Sequence, residues 1–249
     1  MDSKLGLVLA GGGGKGSYEI GVWKYLREIG LDSKISVISG TSVGGLNAFL
    51  IAYNDFDIAT QIWTKEISAK ILDIISDSHK NGAIFSRQGL LDIIDKYIDF
   101  SKVKDFDKCV YVTCHNMDKS RADYIKLNNH LSRRKIEKYL LATSAIPIVF
   151  ENERFLFKSY CDGGVTDNVP LKPLVDEQCT HAIIVSLKTD KHIDYSKSGF
   201  KTIDIYPSSN LGNFLTGTLD FTPANAKARI ELGYNDCKNI FASALQELI

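Results

Sequence analysis

Lys34-Ile-Ser-Val-Ile-Ser39 followed by Gly40-Thr41-Ser42-Val43-Gly44 is the stretch that decides how this chain folds. A run with the look of a strand stops at a glycine, and Val43 to Tyr53 is apolar enough for a mostly buried helix. Between them stands G-x-S-x-G, with the serine thrust out of a tight strand-to-helix turn. A residue there holds a strained backbone position, and glycines two places to either side let neighbouring chain pack without Cβ clashes. The helix starting at this point aims backbone N–H groups and a partial positive charge at the serine oxygen. Ser42 is therefore the candidate nucleophile; the bland alternative is a glycine-eased turn around a buried, hydrogen-bonded serine. Ile35 to Asn54 carries no formal charge over twenty residues, about the length of a membrane span, but nine of the twenty are Ser, Thr, Asn or Gly. Strand, turn and helix explain it better.

Upstream, Leu5-Gly-Leu-Val-Leu-Ala10 is a short apolar run ended by Gly11-Gly12-Gly13-Gly14-Lys15-Gly16, as expected of a buried parallel strand entering a loop. Residues without side chains let consecutive N–H groups converge on one anion. A nucleotide triphosphate loop needs Gly-Lys-Ser/Thr, and the order here is Lys15-Gly16-Ser17. Gly11, Gly13 and Gly16 match a dinucleotide fingerprint formally. That fingerprint needs an acidic residue closing the second strand, which instead runs into Gly40, while Asp32 lies before it. The third anion is the oxyanion of an acyl-transfer intermediate, which needs such donors close to a nucleophile. Neighbouring strands of a βαβ unit bring both loops to one sheet edge, so the two motifs support each other.

A serine hydroxyl needs a base. Of the histidines His79, His115, His130, His181 and His192, the one that fits a Ser…Asp…His order is His181. It begins the expected strand Ala182 to Leu187, at the wrong edge of a parallel sheet. His115 ends its strand at the right edge but precedes Asp162. Asp162, in the turn Cys161-Asp162-Gly163-Gly164 after an expected strand from Phe155 to Ser159, is the remaining choice, in direct contact with the serine. Taken alone, Asp-Gly reads as an ordinary turn.

Tyr18, Val22, Tyr25, Leu26 and Ile29 keep helical spacing up to Gly30. Two amphipathic helices are expected between Asp57 and Ser78, and another capped by Ser86 with Leu90, Leu91, Ile94, Tyr97 and Ile98 on one face. Cys109 to His115, Ala122 to Leu127 and Thr202 to Tyr206 read as strands, and Ser132 to Thr143 as a helix that stops before Pro147. Thr222-Pro223 opens a last helix striped by Ile230, Tyr234, Cys237, Phe241 and Leu245. Strands alternating with helices imply an α/β chain with a largely parallel sheet covered on both faces, and without repeats or linkers residues 1–249 read as one domain.

Lys and Arg total 30 against 30 Asp and Glu, a balance that argues against a phosphate-tracking nucleic-acid binder and a purely electrostatic membrane anchor. An apolar fraction of 44% is far too high for a disordered chain. Five cysteines without a C-x-x-C pair predict reduced, mostly buried thiols in a cytoplasmic protein, neither a metal cage nor a disulfide framework. Only Leu5 to Ala10 separates Lys4 from the glycines, too short for the core of a cleavable signal peptide; export by another route stays open.

The G-G-G-x-K-G loop, the G-x-S-x-G elbow and the D-G-G turn, in this order, resemble the patatin-like phospholipase family. So do Ala142-Thr-Ser-Ala-Ile-Pro147 with Phe150, and Asp162-Gly-Gly-Val-Thr-Asp-Asn-Val-Pro170. The likeness runs from Leu5 to about Leu187 and implies a three-layer α/β/α fold with a mostly parallel central sheet and a Ser-Asp dyad. Carried over, Ser42 is the nucleophile, Asp162 the general base, and Gly12, Gly13 and Gly14 the oxyanion donors. Lys15 fills the family's basic position, and Gly11, Gly16, Gly40, Gly44, Gly163 and Gly164 are supporting motif glycines. The implied function is a lipid acyl hydrolase, of phospholipase A or lysophospholipase type, working through an acyl-enzyme with no metal or organic cofactor. Its partner would be a phospholipid or other acyl ester, met in transient contact with a membrane surface, and no nucleic acid.

Three other readings stay open: a carboxylesterase or thioesterase on soluble acyl donors, an acyl-lipid binding protein without useful turnover, and a dinucleotide-dependent oxidoreductase. Ile58, Ile62, Trp63, Ile67, Ile71, Leu72, Ile74 and Ile75 offer apolar surface for an acyl groove or lid, with core packing the plainer reading. Lys119, Arg121, Lys126, Arg133, Arg134, Lys135 and Lys138, diluted by Asp118, Asp123 and Glu137, read as a solvated face.

Overall fold

The run Leu5–Leu9 forms β1, and it pairs in parallel with a strand on each side, which is why it is apolar at almost every position. The computed structural model describes residues 3–67, 85–128, 130–189 and 199–246. The remaining strands are β2 (Ile35–Thr41), β3 (Cys109–Asn116), β4 (Arg121–Leu127), β5 (Glu153–Phe155), β6 (Lys158–Asp162), β7 (His181–Val185) and β8 (Lys201–Ile205). They make one eight-stranded sheet in the order β5-β6-β3-β2-β1-β7-β8, with β4 on the far side of β3. The strands from β3 across to β8 run parallel; β4, β5 and β6 are antiparallel additions.

The two faces of the sheet are covered unequally. Leu7, Leu9, Ile38, Ile183 and Val185 face a thick core with α1 (Ser17–Glu28), α2 (Val43–Tyr53) and α7 (Pro223–Gln246). Their alternates Val8, Val37, Ala182 and Ile184 meet a thin layer made by Cys179 and by Leu174 of α6 (Lys172–Asp176). Emptying the thick side by Leu26→Ala or Ile38→Ala would cost about 2–5 kcal/mol, since both side chains are fully buried.

Register along β3 explains how two distant motifs meet. Thr41, the last residue of β2, lies opposite Thr113, while Asp162, the last residue of β6, lies opposite Cys114. Because β4 occupies the other edge of β3 there, β2 and β6 abut end to end along one side of it, arriving from opposite directions. Ser42 and Asp162 follow from that abutment.

Several expectations need correction. Phe155 to Ser159 is not a strand but the closed end of the β5–β6 hairpin, with Leu156 and Phe157 in its turn. Ser86 is not the cap residue of α4 (Gln88–Tyr97); Arg87 holds that place, and the Ser86 hydroxyl accepts the Gln88 N–H at 3.0 Å. Of the helices expected between Asp57 and Ser78, the first is α3 (Phe56–Gln61), capped by Asp55 and continued by a π-helical turn, Ile62–Glu66. The second, with Ile71, Leu72, Ile74 and Ile75, lies outside the described residues, as do His79 and His192. α5 (Arg133–Thr143) starts after Ser132 as expected. All five cysteines are free thiols, and four are buried. Among the described residues no helix is long and apolar enough to cross a membrane.

Candidate active site

Ser42 sits between β2 and α2 with φ 56° and ψ −126°, a conformation that L-residues avoid. The turn folds so closely that a methyl on Gly40 would strike the Gly44 carbonyl, and one on Gly44 the Leu9 carbonyl of β1. Outside hydrogen bonds hold the strain. The Ser42 N–H donates to Thr143 Oγ1 (3.0 Å), whose hydroxyl donates to the Thr113 carbonyl (2.6 Å). The Thr41 hydroxyl donates to the Asp167 carbonyl (2.8 Å). Neither threonine was singled out from the sequence, because their partners are remote along the chain.

Asp162 is buried beside this turn. Its N–H donates to the Ala145 carbonyl (2.9 Å), and its Oδ1 accepts the Gly164 N–H (2.7 Å). Oδ2 is buried without a hydrogen bond of ordinary geometry, while the Ser42 hydroxyl stands near enough to draw the carboxyl's pKa down. Burial pushes the carboxyl up to about 6, against the downward pull of the Ser42 hydroxyl, the Gly164 N–H and the Arg87 charge.

The glycine loop lies on the same edge. Asn168 clamps Gly11 from both ends: its carbonyl takes the Gly11 N–H (3.2 Å), and its Nδ2 donates to the Gly11 carbonyl (3.1 Å). Gly13, at φ +58°, opens a 3-10 turn over Gly13–Gly16, and the N–H groups of Gly12 and Gly13 meet no acceptor among the described residues. Gly14 is packed behind the loop against Asp220. The buried Arg229 of α7 donates to the carbonyls of Gly14 (3.1 Å) and Asp220 (2.8 Å), and to Asp220 Oδ2 (2.9 Å). The C-terminal quarter of the chain, for which the motifs gave no role, thus braces the loop from below.

Two concavities meet at Ser42. A basin of about 450 Å³, open to solvent, is lined by Gly12, Gly13, Ser42 and Asp162 and flanked by Lys15 and Lys188. Burial and the charges of Arg229 and Lys188 lower the Lys15 ammonium. On the other side a narrow apolar cavity of about 40 Å³ begins at Ser42 between Ile146, Phe150 and Phe221. Through the shared walls Val43, Leu46 and Leu90 it adjoins a second one, about 60 Å³, closed by Phe49, Trp63 and Leu140. Ile62 and Ile67 line it too, so part of the apolar segment after Asp57 is both core and cavity wall.

Two further groups went unnoticed in the sequence. The Arg87 guanidinium is buried over the Phe150 ring (4.8 Å), donates to the Ser144 carbonyl (2.9 Å) and hydroxyl (3.0 Å) and to the Leu141 carbonyl, and lines the cavity at Ser42. Burial pulls its pKa down to about 10, against the opposing charges of Glu153 and Asp162. Beneath the loop, Asn47 Nδ2 donates to Glu19 Oε2 (2.7 Å) and the Gly16 carbonyl (2.9 Å), while Trp63 Nε1 donates to Asn47 Oδ1 (3.0 Å). Burial raises Glu19 well above the usual carboxylate range, against the pull of the Asn47 hydrogen bond. Among the described residues no histidine lines either concavity at Ser42; His181 begins β7 at the opposite edge, and His115 Nδ1 is 3.4 Å from Thr166 Oγ1.

A family model described as patatin-like phospholipase matches residues 7–175. Lysophospholipase NTE1 of Cryptococcus neoformans is 26% identical over 193 residues, covering 74% of this chain and 11% of that protein. Lysophospholipase nte1 of Aspergillus terreus is 31% identical over 175 residues, covering 66% and 10%. The chain therefore spans only a small part, about a tenth, of the curated relatives it matches. Among solved structures, VipD from Legionella pneumophila superposes with a TM-score of 0.63 at 15% identity, over 97% of this chain and 67% of that one. The type III effector protein ExoU does so with a TM-score of 0.53 at 15% identity, over 97% and 53%. At that identity the likeness is one of fold.

Proposed function

The chain belongs to the patatin-like phospholipase family, and on that premise we propose that it is a lipid acyl hydrolase cleaving carboxylic esters of phospholipids or lysophospholipids. The observation that carries this reading is the buried, unpartnered Asp162 Oδ2 beside a serine held at positive φ. Ser42 Oγ attacks the ester carbonyl while Asp162 takes its proton, and the tetrahedral oxyanion lies against the N–H groups of Gly12 and Gly13, which line the basin, with Gly14 packed behind them. The leaving alcohol recovers the proton, and water then attacks the acyl-enzyme with Asp162 again as base. A carboxylate near 6 is ionised at neutral pH yet more basic than an exposed aspartate, which suits it to this work.

The apolar cavity behind Ser42 takes the acyl chain along Val43, Leu46 and Leu90, leaving the polar remainder of the substrate in the basin with Lys15 and Lys188. The test is free fatty acid release, followed by mass spectrometry, from vesicles of mixed phosphatidylcholine and lysophosphatidylcholine. Release by the wild type and none by Ser42→Ala is expected. Equal release by both proteins, or none by the wild type, rejects the proposal.

A further inference from the structure

The exposed large apolar side chains are grouped. Ile148, Val165, Phe214 and Leu215 stand around the mouth of the basin, and Met117, Leu156 and Phe157 crown the same carboxyl edge of the sheet. The two exceptions among the described residues, Ile29 and Val175, lie towards the opposite edge, just ahead of β2 and β7.

The β5–β6 hairpin is the most pronounced of these features. It continues outward from Asp162 alongside the end of β3, so five residues at ~3.4 Å each put Phe157 roughly 17 Å beyond the carboxylate. Its last pair is Phe155 with Lys158, which leaves Leu156 (φ 51°) and Phe157 (φ 59°) as a two-residue turn. Such turns favour Asn-Gly, because both residues adopt left-handed backbone. Here two bulky apolar residues take those positions, and Phe157 is fully exposed. Nothing within the fold rewards that choice.

Just below the turn, Phe155 packs edge-on against Tyr139 (4.8 Å) and tilts over Tyr160 (5.5 Å), anchoring the hairpin to the fold. Met117 lies alongside, its N–H donating to the Ser159 carbonyl (2.9 Å). Around this apolar tip stand Lys119, Arg154 and Lys158, all exposed and none in an ion pair among the described residues. Two acids stand near: Asp118 accepts the Ser159 N–H (2.9 Å), and Asp123, paired with Arg121 (3.2 Å), also feels the Lys158 charge. An apolar wedge inside a collar of exposed cations free of direct ion pairs among the described residues fits a phospholipid surface: rings and methyls enter the acyl boundary while cations meet phosphates. A protein groove would bury the tip equally well but gives no reason for the cations.

We propose that the carboxyl edge is a docking face for anionic phospholipid bilayers, with the Leu156–Phe157 hairpin as the inserted wedge. Its purpose rests on the lipid hydrolase reading, but its test does not. Cosedimentation with equimolar phosphatidylcholine–phosphatidylglycerol vesicles compares Ser42→Ala protein, which leaves the lipid intact, with the same protein carrying Leu156→Asn and Phe157→Gly. Asn-Gly is the pair the turn prefers, so the double variant keeps or raises its melting temperature, and unfolding cannot explain a loss. Vesicle partition is expected to fall about tenfold or more. In otherwise active enzyme the same two changes leave hydrolysis of a soluble short-chain ester unaltered. Equal vesicle binding by the two proteins overturns the proposal. So does no vesicle binding by the Ser42→Ala protein, which would assign the tip to a protein partner. Failure of the hydrolase reading would show instead as a wild type inactive on both esters and vesicles.

Discussion

At the amino edge of the sheet, Glu177 accepts from Lys126 Nζ (2.7 Å), the Tyr111 hydroxyl (2.7 Å) and Lys4 Nζ (3.0 Å), and its carboxyl is held down at about 2. At the carboxyl edge, Asp162 has one firm donor, the Gly164 N–H, and burial drives it up to about 6. One carboxylate is stabilised as an anion by partners that complete its hydrogen bonding. The other is kept short of partners, and that deficit is what the proposed role of base requires. Charge that supports the fold and charge proposed to do chemistry thus lie at opposite ends of the sheet.

Substitutions at the two edges should therefore behave in opposite ways. The largest effect is expected for Ser42→Ala and Asp162→Asn, each lowering ester hydrolysis about 10⁴-fold or more. Asp162→Asn should also stabilise the protein at pH 8. A carboxyl raised from 3.8 to about 6 binds its proton more tightly when folded. Its contribution is full below pH 3.8 and lost as pH rises through about 6, a difference of about 3 kcal/mol that a neutral amide does not lose. Denaturant unfolding at pH 8 and pH 4 measures it; a variant destabilised at pH 8 would break the comparison.

In the wild type, kcat/KM on a soluble ester should fall about tenfold per pH unit below about 6. Arg87→Met should move that acidic limb upward, because the guanidinium is one of the groups that draw Asp162 down. An unmoved limb would remove Arg87 from the electrostatics of the site. The smallest effect is expected for Glu177→Gln: about 1 kcal/mol of stability, discounted for the exposure of its lysine partners, and no change in rate. That contribution is present above 4.5 and lost as pH falls toward about 2, so the urea melts of variant and wild type should differ at pH 7 and draw together as pH falls toward about 2.

The parts read well from the sequence are those whose cause is local. β1 is an apolar run closed by glycines, α2 begins and ends where Val43 to Tyr53 suggested, and the glycines around Ser42 announce the turn that holds it. The hairpin was misread because Leu156-Phe157 has none of the residues that mark a turn, and its conformation is imposed by the pairing of β5 with β6. Arg87 and Arg229, and the role of Thr143 inside its quoted stretch, are not legible for another reason. Each acts on a backbone group brought near only by the tertiary fold, and a lone Thr or Arg carries no periodic signal. The meeting of Ser42 with Asp162 was expected from motif order and resemblance; its physical basis, β2 and β6 abutting along β3, is a matter of register that no local pattern encodes.

The dyad is tested most directly by incubating wild type and Asp162→Asn with a long-chain alkyl fluorophosphonate and mapping the adduct by peptide mass spectrometry. The geometry predicts one adduct, on Ser42, formed rapidly by the wild type and at least about 100-fold more slowly by Asp162→Asn. An adduct on any other residue, or labelling of Ser42 at the same rate in both proteins, would contradict it.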